Sequence, residues 1–228
     1  MKFLSVLSVL SVTLLLGCAS EEAKGPDEPV VFQEGDAFYK LLNMTSGNYV
    51  ELDDTGLVER SSLVAVGHII RVEDGMEIKN VDARVPTSLH TMVMAVQVDK
   101  VLKGDTTDDV VYVEYLHGGA FSAATFDANR PTGSSVLFLT EAEWGPHRSV
   151  QYLNRDRGRP AGKPLYRLIT PQGWFTEIGG KLTQPLAGNG NTQGFVNAVS
   201  LAAVQDAVQA ADPAQGASSS EGLAEDDQ

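Results

Sequence analysis

Alternation of apolar and polar residues dominates the middle of the chain. Residues 61–72 (SSLVAVGHIIRV) alternate strictly, which predicts a strand with one face formed by Val64, Val66, His68, Ile70 and Val72. Residues 90–102 (HTMVMAVQVDKVL) alternate in the same way. Gly67 interrupts the first run, and a glycine inside a strand often marks a bulge or a bend. The pattern therefore predicts two strands, the first with an irregularity at Gly67.

Shorter apolar runs predict the remaining strands. These runs occupy residues 110–116, 134–140, 165–170, 174–178 and 181–183. The last two are joined across Gly179-Gly180, which is typical of a tight hairpin. The middle of the chain is therefore expected to be a β structure.

The period changes towards the C-terminus. Residues 194–210 predict a helix whose apolar stripe is formed by Leu201, Val204 and Val208. Asp212-Pro213 ends this pattern. A short helix is also expected within residues 31–44, and turn signals follow in the polar residues 45–60. The predicted fold class is mainly β with a packed C-terminal helix.

The N-terminus carries the most specific signal. Residues 3–16 (FLSVLSVLSVTLLL) are apolar, and a helix of that length rises about 21 Å, less than the roughly 30 Å of a hydrocarbon core. The segment is therefore typical of an export signal rather than of a membrane span. Leu15-Leu16-Gly17-Cys18 resembles the lipobox of bacterial lipoproteins. The resemblance implies cleavage before Cys18, a diacylglycerol thioether on its sulfur and an acyl group on its new amino group.

The resemblance to lipoproteins divides the chain into four parts. Residues 1–17 are the expected signal peptide, and residues 18–30 are the lipidated cysteine and a flexible tether. Residues 31–211 are expected to form a single mostly-β domain, and the acidic residues 212–228 a disordered tail. Two or three acyl chains hold a protein stably on a membrane. The expected location is extracytoplasmic, on the outer face of the only membrane or, in a two-membrane cell, at the outer membrane.

The β region resembles a known architecture. The segment of residues 96–104, Val111-Tyr112-Val113 and the run of residues 133–139 follow the order found in small OB-like and netrin-like barrels of exported bacterial proteins. The resemblance covers residues 61–140 and implies a small OB-like antiparallel β-barrel. It implies no activity, because one fold serves many functions.

Charge and cysteine content exclude several functions. The chain has 17 basic and 30 acidic residues and a formal charge of −13, so nucleic acid is not an expected partner. A single cysteine cannot form an intrachain disulfide. Four scattered histidines offer little for a zinc site. No cofactor, metal ligand or catalytic residue is predicted.

One segment opposes the acidic character of the whole chain. Residues 148–167 contain one acid, Asp156, and six bases: Arg148, Arg155, Arg157, Arg159, Lys163 and Arg167. In one interpretation these bases pair with acids elsewhere. In the other, Arg155, Arg157 and Arg159 contact an anionic partner, such as an envelope polymer, a lipid head group or an acidic protein. The nearby aromatic residues Trp144, Tyr152 and Tyr166 would add stacking surface.

Two functions follow from these observations. The first is a lipid-anchored, non-catalytic envelope module that binds a partner or supports an assembly. The alternative is a surface-anchored hydrolase with a site built from dispersed acids and histidines. That alternative requires Glu141, Glu143, His117 or His147 to meet in one pocket.

Overall fold

The chain forms a mainly β structure, as its apolar pattern predicts. The computed structural model describes residues 36–43, 52–82, 84, 87–117, 121–146, 148–186, 198 and 200–211. Its strands are β1 (Leu63–Asn80), β2 (Thr87–Lys103), β3 (Val110–His117), β4 (Ser135–Glu141), β5 (Val150–Leu153), β6 (Leu165–Leu168), β7 (Trp174–Ile178) and β8 (Lys181–Thr183). Its helices are α1 (Asp36–Asn43), α2 (Asp54–Arg60), α3 (Ala123–Ala128) and α4 (Leu201–Ala211).

The eight strands form one sheet in the order β5-β1-β2-β3-β6-β4-β7-β8. An additional pairing between β1 and β4 joins five of them, β1-β2-β3-β6-β4, into a closed ring. Neighbours in the ring are antiparallel except β3 and β6, which are parallel. Every ring strand therefore has a partner on both sides along at least part of its length.

The first strand is longer and less regular than its sequence pattern predicts. Its register with β2 shifts at Gly67, as expected, and shifts again between Ile69 and Arg71. Because each shift changes which face a residue occupies, the predicted single face is wrong beyond Ile69. Val72 lies in the same core cluster as Ile69, and Ile70 is 39% exposed.

The main core lies inside the ring. All five ring strands contribute to one buried cluster, which we call the interior cluster and which includes Leu63, Met92, Val113, Leu137 and Tyr166. Helices α1 and α3 close it with Phe38 and Phe126, whose ring centroids are 6.0 Å apart. A second cluster packs α2 and α4 against β1, β4 and β7.

Of the four α-helices in the described residues, α1 and α4 fall where helices were predicted, whereas α2 and α3 were not predicted. Helix α4 begins at Leu201, and its buried residues Val204 and Val208 confirm the predicted stripe. Residues 52–60 contain α2 in place of the expected turns, and Asp53 caps this helix by accepting a hydrogen bond from the Gly56 amide at 2.8 Å. At the other end of α2, the Lys103 ammonium donates to the Ser61 carbonyl at 2.9 Å.

The predicted anchor and tail lie outside the described residues. This applies to Cys18, to the signal peptide and tether, to the tail of residues 212–228, and to the first part of the predicted C-terminal helix. The described residues therefore bear on the mostly-β domain alone.

Candidate binding face

The basic segment belongs to a long connection between two strands of the ring. Residues 142–164, which we call the strap, join β4 to β6 and contain β5. The strap lies on the outer face of β2 and β3, opposite the interior cluster. Beneath it, Val93, Ala95 and Tyr112 are buried with Leu165 in a cluster of their own. The sheet is therefore covered on both faces in this region.

Close backbone contact seats the strap on the sheet. Gly158 has a φ of +84°, a left-handed conformation that glycine adopts most easily. A Cβ atom on Gly158 would lie 2.8 Å from the Cβ atom of Val93 and 3.0 Å from the Asp74 carbonyl oxygen. The lack of a side chain at this position therefore allows the strap to reach β1 and β2.

Three of the six bases are held in ion pairs. The Arg157 guanidinium lies 2.6 Å from the Asp74 carboxylate on β1, and the Lys163 ammonium binds the Asp108 carboxylate. The Arg159 guanidinium pairs with Asp156 at 3.1 Å. Its other nitrogens donate to the carbonyls of Lys163 and Arg155 at 2.8 and 2.9 Å. With 14% of its side chain exposed, Arg159 stabilises the strap itself.

Arg155 occupies a different environment from Arg157 and Arg159. It is exposed, and its guanidinium carbon lies 4.9 Å from the centroid of the Tyr152 ring. It also donates to the Trp144 carbonyl at 3.0 Å, and the Trp144 and Tyr152 rings are 5.4 Å apart. We call Trp144, Tyr152 and Arg155 the Trp144 cluster. Among the described residues, the ion pairs include neither Arg155 nor the exposed Arg148.

An apolar row of the outer face continues from this cluster. Strand register places Tyr152 of β5 opposite Ile78 of β1, and Ile78 opposite Leu89 of β2. Leu116 of β3 lies opposite Thr91, two residues beyond Leu89 and thus on the same face. Leu89 and Leu116 are 45% and 43% exposed. Tyr166, by contrast, belongs to the interior cluster, so its predicted contribution of stacking surface is wrong.

A buried carboxyl lies under the strap. Glu114 of β3 is 4% exposed, and its Oε2 accepts a hydrogen bond from the Trp144 indole nitrogen at 2.7 Å. Its Oε1 is buried without a hydrogen-bond partner. Burial raises the pKa of Glu114, and the Trp144 indole, the nearby Thr91 hydroxyl and the charges of Arg159 and Arg167 oppose this effect. Glu114 is not among the predicted site residues, although a single acid within the apolar run 110–116 is a usable signal.

Of the residues proposed for a hydrolase, those that the structure describes do not converge with His117. His117 is buried beside Phe126, and burial, followed by the nearby His90, lowers the pKa of His117. Glu141 is exposed opposite Tyr166, which itself lies beside Val113. Glu141 is thus about 13 Å along the strand from His117. Glu143 is exposed in the strap, and His147 is outside the described residues.

Two cavities formed by the described residues are lined by none of these acids and histidines. A cavity of about 370 Å³ lies between Tyr39, Thr132 and Thr176. Another, of about 500 Å³, is bounded by β1, α3 and the strap residues Arg157 and Gly158. In the part of the chain that the structure describes, no three His, Cys, Asp or Glu side chains are placed to hold a metal ion.

Comparisons with known proteins identify no relative. The chain matches no protein-family model, and no curated protein or solved structure is significantly similar to it. None of the helices in the described ranges is both long and apolar enough to cross a membrane.

Proposed function

We propose that the chain is a lipid-anchored protein of the bacterial cell envelope that binds an anionic partner through an OB-like barrel. The observation that carries the proposal is Leu15-Leu16-Gly17-Cys18 at the end of the apolar segment that begins at residue 3, with Cys18 the only cysteine of the chain. Acylation of Cys18 would hold the domain on the outer side of a membrane, although the formal charge of −13 repels anionic lipid.

The ring of strands supports the OB-like part of the proposal. An OB-fold is a five-stranded Greek-key barrel that binds its ligands on strands 2 and 3 and on the loops that follow strands 1 and 4. In this chain the ring has five strands, and the strap follows the fourth of them, β4. The strap also crosses the second and third strands, so it occupies the position from which such folds contact ligands.

The Trp144 cluster supports an anionic partner with ring-shaped or apolar parts. Trp144 and Tyr152 offer aromatic faces, and Arg155 and Arg148 offer guanidinium groups outside the ion pairs of the described residues. Arginine binds carboxylates and phosphates through two parallel hydrogen bonds. An anionic component of the envelope, such as a charged polymer, matches this combination. Nucleic acid is a poorer match, because the chain as a whole is acidic.

The anchor is tested at Cys18. Mass spectrometry of the N-terminal peptide of the native protein should find Cys18 as the first residue, carrying acyl chains. Cys18→Ala should leave an uncleaved species without acyl chains. An unmodified Cys18, or any retained residue before it, would contradict the proposal.

The binding face is tested at Arg155. Retention of the protein on an anionic envelope fraction should fall as salt rises, because the Debye length shrinks from about 10 Å at 0.1 M to about 3 Å at 1 M. Arg155→Ser should lower retention severalfold at low salt. It should hardly change the melting temperature, because exposed cation–π contacts contribute only about 0.5–1 kcal/mol.

Lys100→Ser is the matched control for this experiment. Lys100 is an exposed base on β2 outside the Trp144 cluster, and its loss changes the net charge by the same amount. Arg157 and Arg159 are unsuitable, since their ion pairs hold the strap in place. Equal retention of Arg155→Ser and Lys100→Ser would show that only net charge matters.

A further inference from the structure

Glu114 is the one carboxyl that the described residues bury under the strap. Its contact with Trp144 joins the middle of β3 to the start of the strap. Apart from the pairing of β5 with β1, which holds the middle of the strap on the sheet, the strap is held by two ion pairs, Arg157 with Asp74 and Lys163 with Asp108, with 27–54% of each side chain exposed. Release here therefore means release of the segments on either side of β5 from β2 and β3. Of the side chains that hold the strap on the sheet, Glu114 is therefore the one whose exposure to water changes most if the strap leaves β2 and β3.

Leaving the sheet would bring water to both oxygens of Glu114. In the seated strap, one oxygen has a single indole donor and the other has none. A buried carboxylate without full hydrogen bonding is costly, whereas a buried neutral carboxyl is much less so. Ionisation of Glu114 therefore favours the released strap, and protonation favours the seated one.

We infer that the strap is a pH-dependent cover of the outer face of β2 and β3, with Glu114 as the group that senses the proton. The inference rests on the proposed function in one respect only, namely that the covered face belongs to the ligand-binding side of the domain. Release at higher pH would expose Val93, Ala95 and Tyr112 and would separate Trp144 from the sheet. The binding face would thus change its composition with pH.

The charged groups around Glu114 limit the effect without reversing it. The Trp144 indole, the Thr91 hydroxyl of β2 and the charges of Arg159 and Arg167 all favour the carboxylate, yet burial is the larger influence and leaves the pKa of Glu114 above its ordinary 4.5. In the released strap the carboxyl returns towards that ordinary value. Between the two pKa values, the ratio of seated to released strap falls about tenfold for each unit rise in pH.

Limited proteolysis measures the released strap directly. Trypsin cleaves after Arg155 and Arg157, and such cleavage follows the population of the open form when opening is fast. The full chain and its Glu114→Gln variant are digested without ligand at pH values from 5 to 8.5, and mass spectrometry quantifies cuts at these two positions. Comparison at each pH removes the pH dependence of trypsin itself.

The expected result is a cleavage rate that rises with pH relative to that of Glu114→Gln. Glu143→Gln, which removes an exposed carboxyl of the same strap, should follow the parent at every pH. A constant ratio of parent to Glu114→Gln across the range would overturn the inference. Because no ligand is present, this result is independent of the retention measured for Arg155→Ser.

A second measurement covers the case in which Glu114→Gln does not fold. The indole N–H signal of Trp144 in the ¹H–¹⁵N spectrum of the parent, assigned with Trp144→Phe, should shift in one titration as pH rises. The signal of Trp174, which donates to the buried Ser135 hydroxyl at 3.0 Å, should stay unchanged and serves as the control. A Trp144 signal that does not titrate would also overturn the inference.

Discussion

Two glycines of the strap share a backbone conformation but differ in their surroundings. Gly158 and Gly162 have φ values of +84° and +79°, so a side chain at either one is strained. Only Gly158 would bring a new Cβ atom against the sheet, at Val93 and the Asp74 carbonyl. Around Gly162 there is open space within 4 Å. Contact and strain can therefore be separated experimentally.

Gly158→Ala should destabilise the protein more than Gly162→Ala. Both substitutions carry the cost of a left-handed alanine, and the extra overpacking at Gly158 adds about 1–3 kcal/mol. Denaturant unfolding of the two variants measures the difference in the free energy of unfolding. Equal losses would mean that the strap can move off Val93 at no cost.

At the residue scale, local rules explain what the sequence could predict. The irregularity at Gly67 was predictable, because a glycine inside a strand often marks a bulge. The structure shows the physical reason, since a Cβ atom at Gly67 would approach Val96 to 2.9 Å. The partners of Arg157 and Arg159 could not be predicted from the sequence. Asp74, the partner of Arg157, lies 83 positions away in the chain, and the contacts of Arg159 depend on the conformation of the strap. Glu114 was missed for a related reason, as its burial is created by Trp144, 30 positions further on.

At the scale of elements, strands with one face in the interior cluster were predicted within a few residues. Examples are β3, β4 and β7, whose apolar runs are continuous because residues on both of their faces are buried. The second half of β1 was not predicted, because its register shifts break the period of two. Helix α3, with six residues, is too short to show a helical period. β5, with four residues, is established by its pairing with β1 rather than by its own sequence.

The strap shows how an element can combine two predicted roles. Its charge excess suggested either internal ion pairs or a binding face, and the described contacts divide the bases between these roles. Arg157, Arg159 and Lys163 are in ion pairs, while Arg155 packs on an aromatic ring. The charge pattern of the sequence thus located the candidate site. Which bases form ion pairs and which remain outside them could be seen only in the folded structure.

For the whole molecule, the buried side chains Glu114 and His117 make the free energy of unfolding depend on pH in opposite directions. Burial raises the pKa of Glu114, so its contribution is present at low pH and is lost as pH rises above 4.5. Burial lowers the pKa of His117, so the unfolded chain takes up a proton before the folded one does. Stability from His117 is therefore present above its ordinary 6.5 and is lost as pH falls below it.

His117→Gln should reduce the loss of stability on acidification. The parent's melting temperature, followed by circular dichroism, is expected to fall from pH 7 to pH 5 by more than that of the variant. His68→Gln is the control, because His68 is partly exposed beside Asp99 and does not pack against Phe126. An identical fall in parent and His117→Gln would assign the acid sensitivity to other groups.

Closure of the ring also determines the order in which the chain can fold. The β1–β2 hairpin forms from neighbouring residues, whereas β1 pairs with β4 only when Leu63 meets Leu139. The residue before β1, Ser62, likewise bonds to Leu139, 77 positions away. Contacts at such separation form late and slowly, because the entropy of a long loop must be lost first. Until the fourth ring strand is available, β1 therefore has one edge without a partner, and the apolar side chains of the interior cluster stay incompletely covered. During that interval the unpaired edge of β1 can pair with another chain, so aggregation competes with closure of the ring.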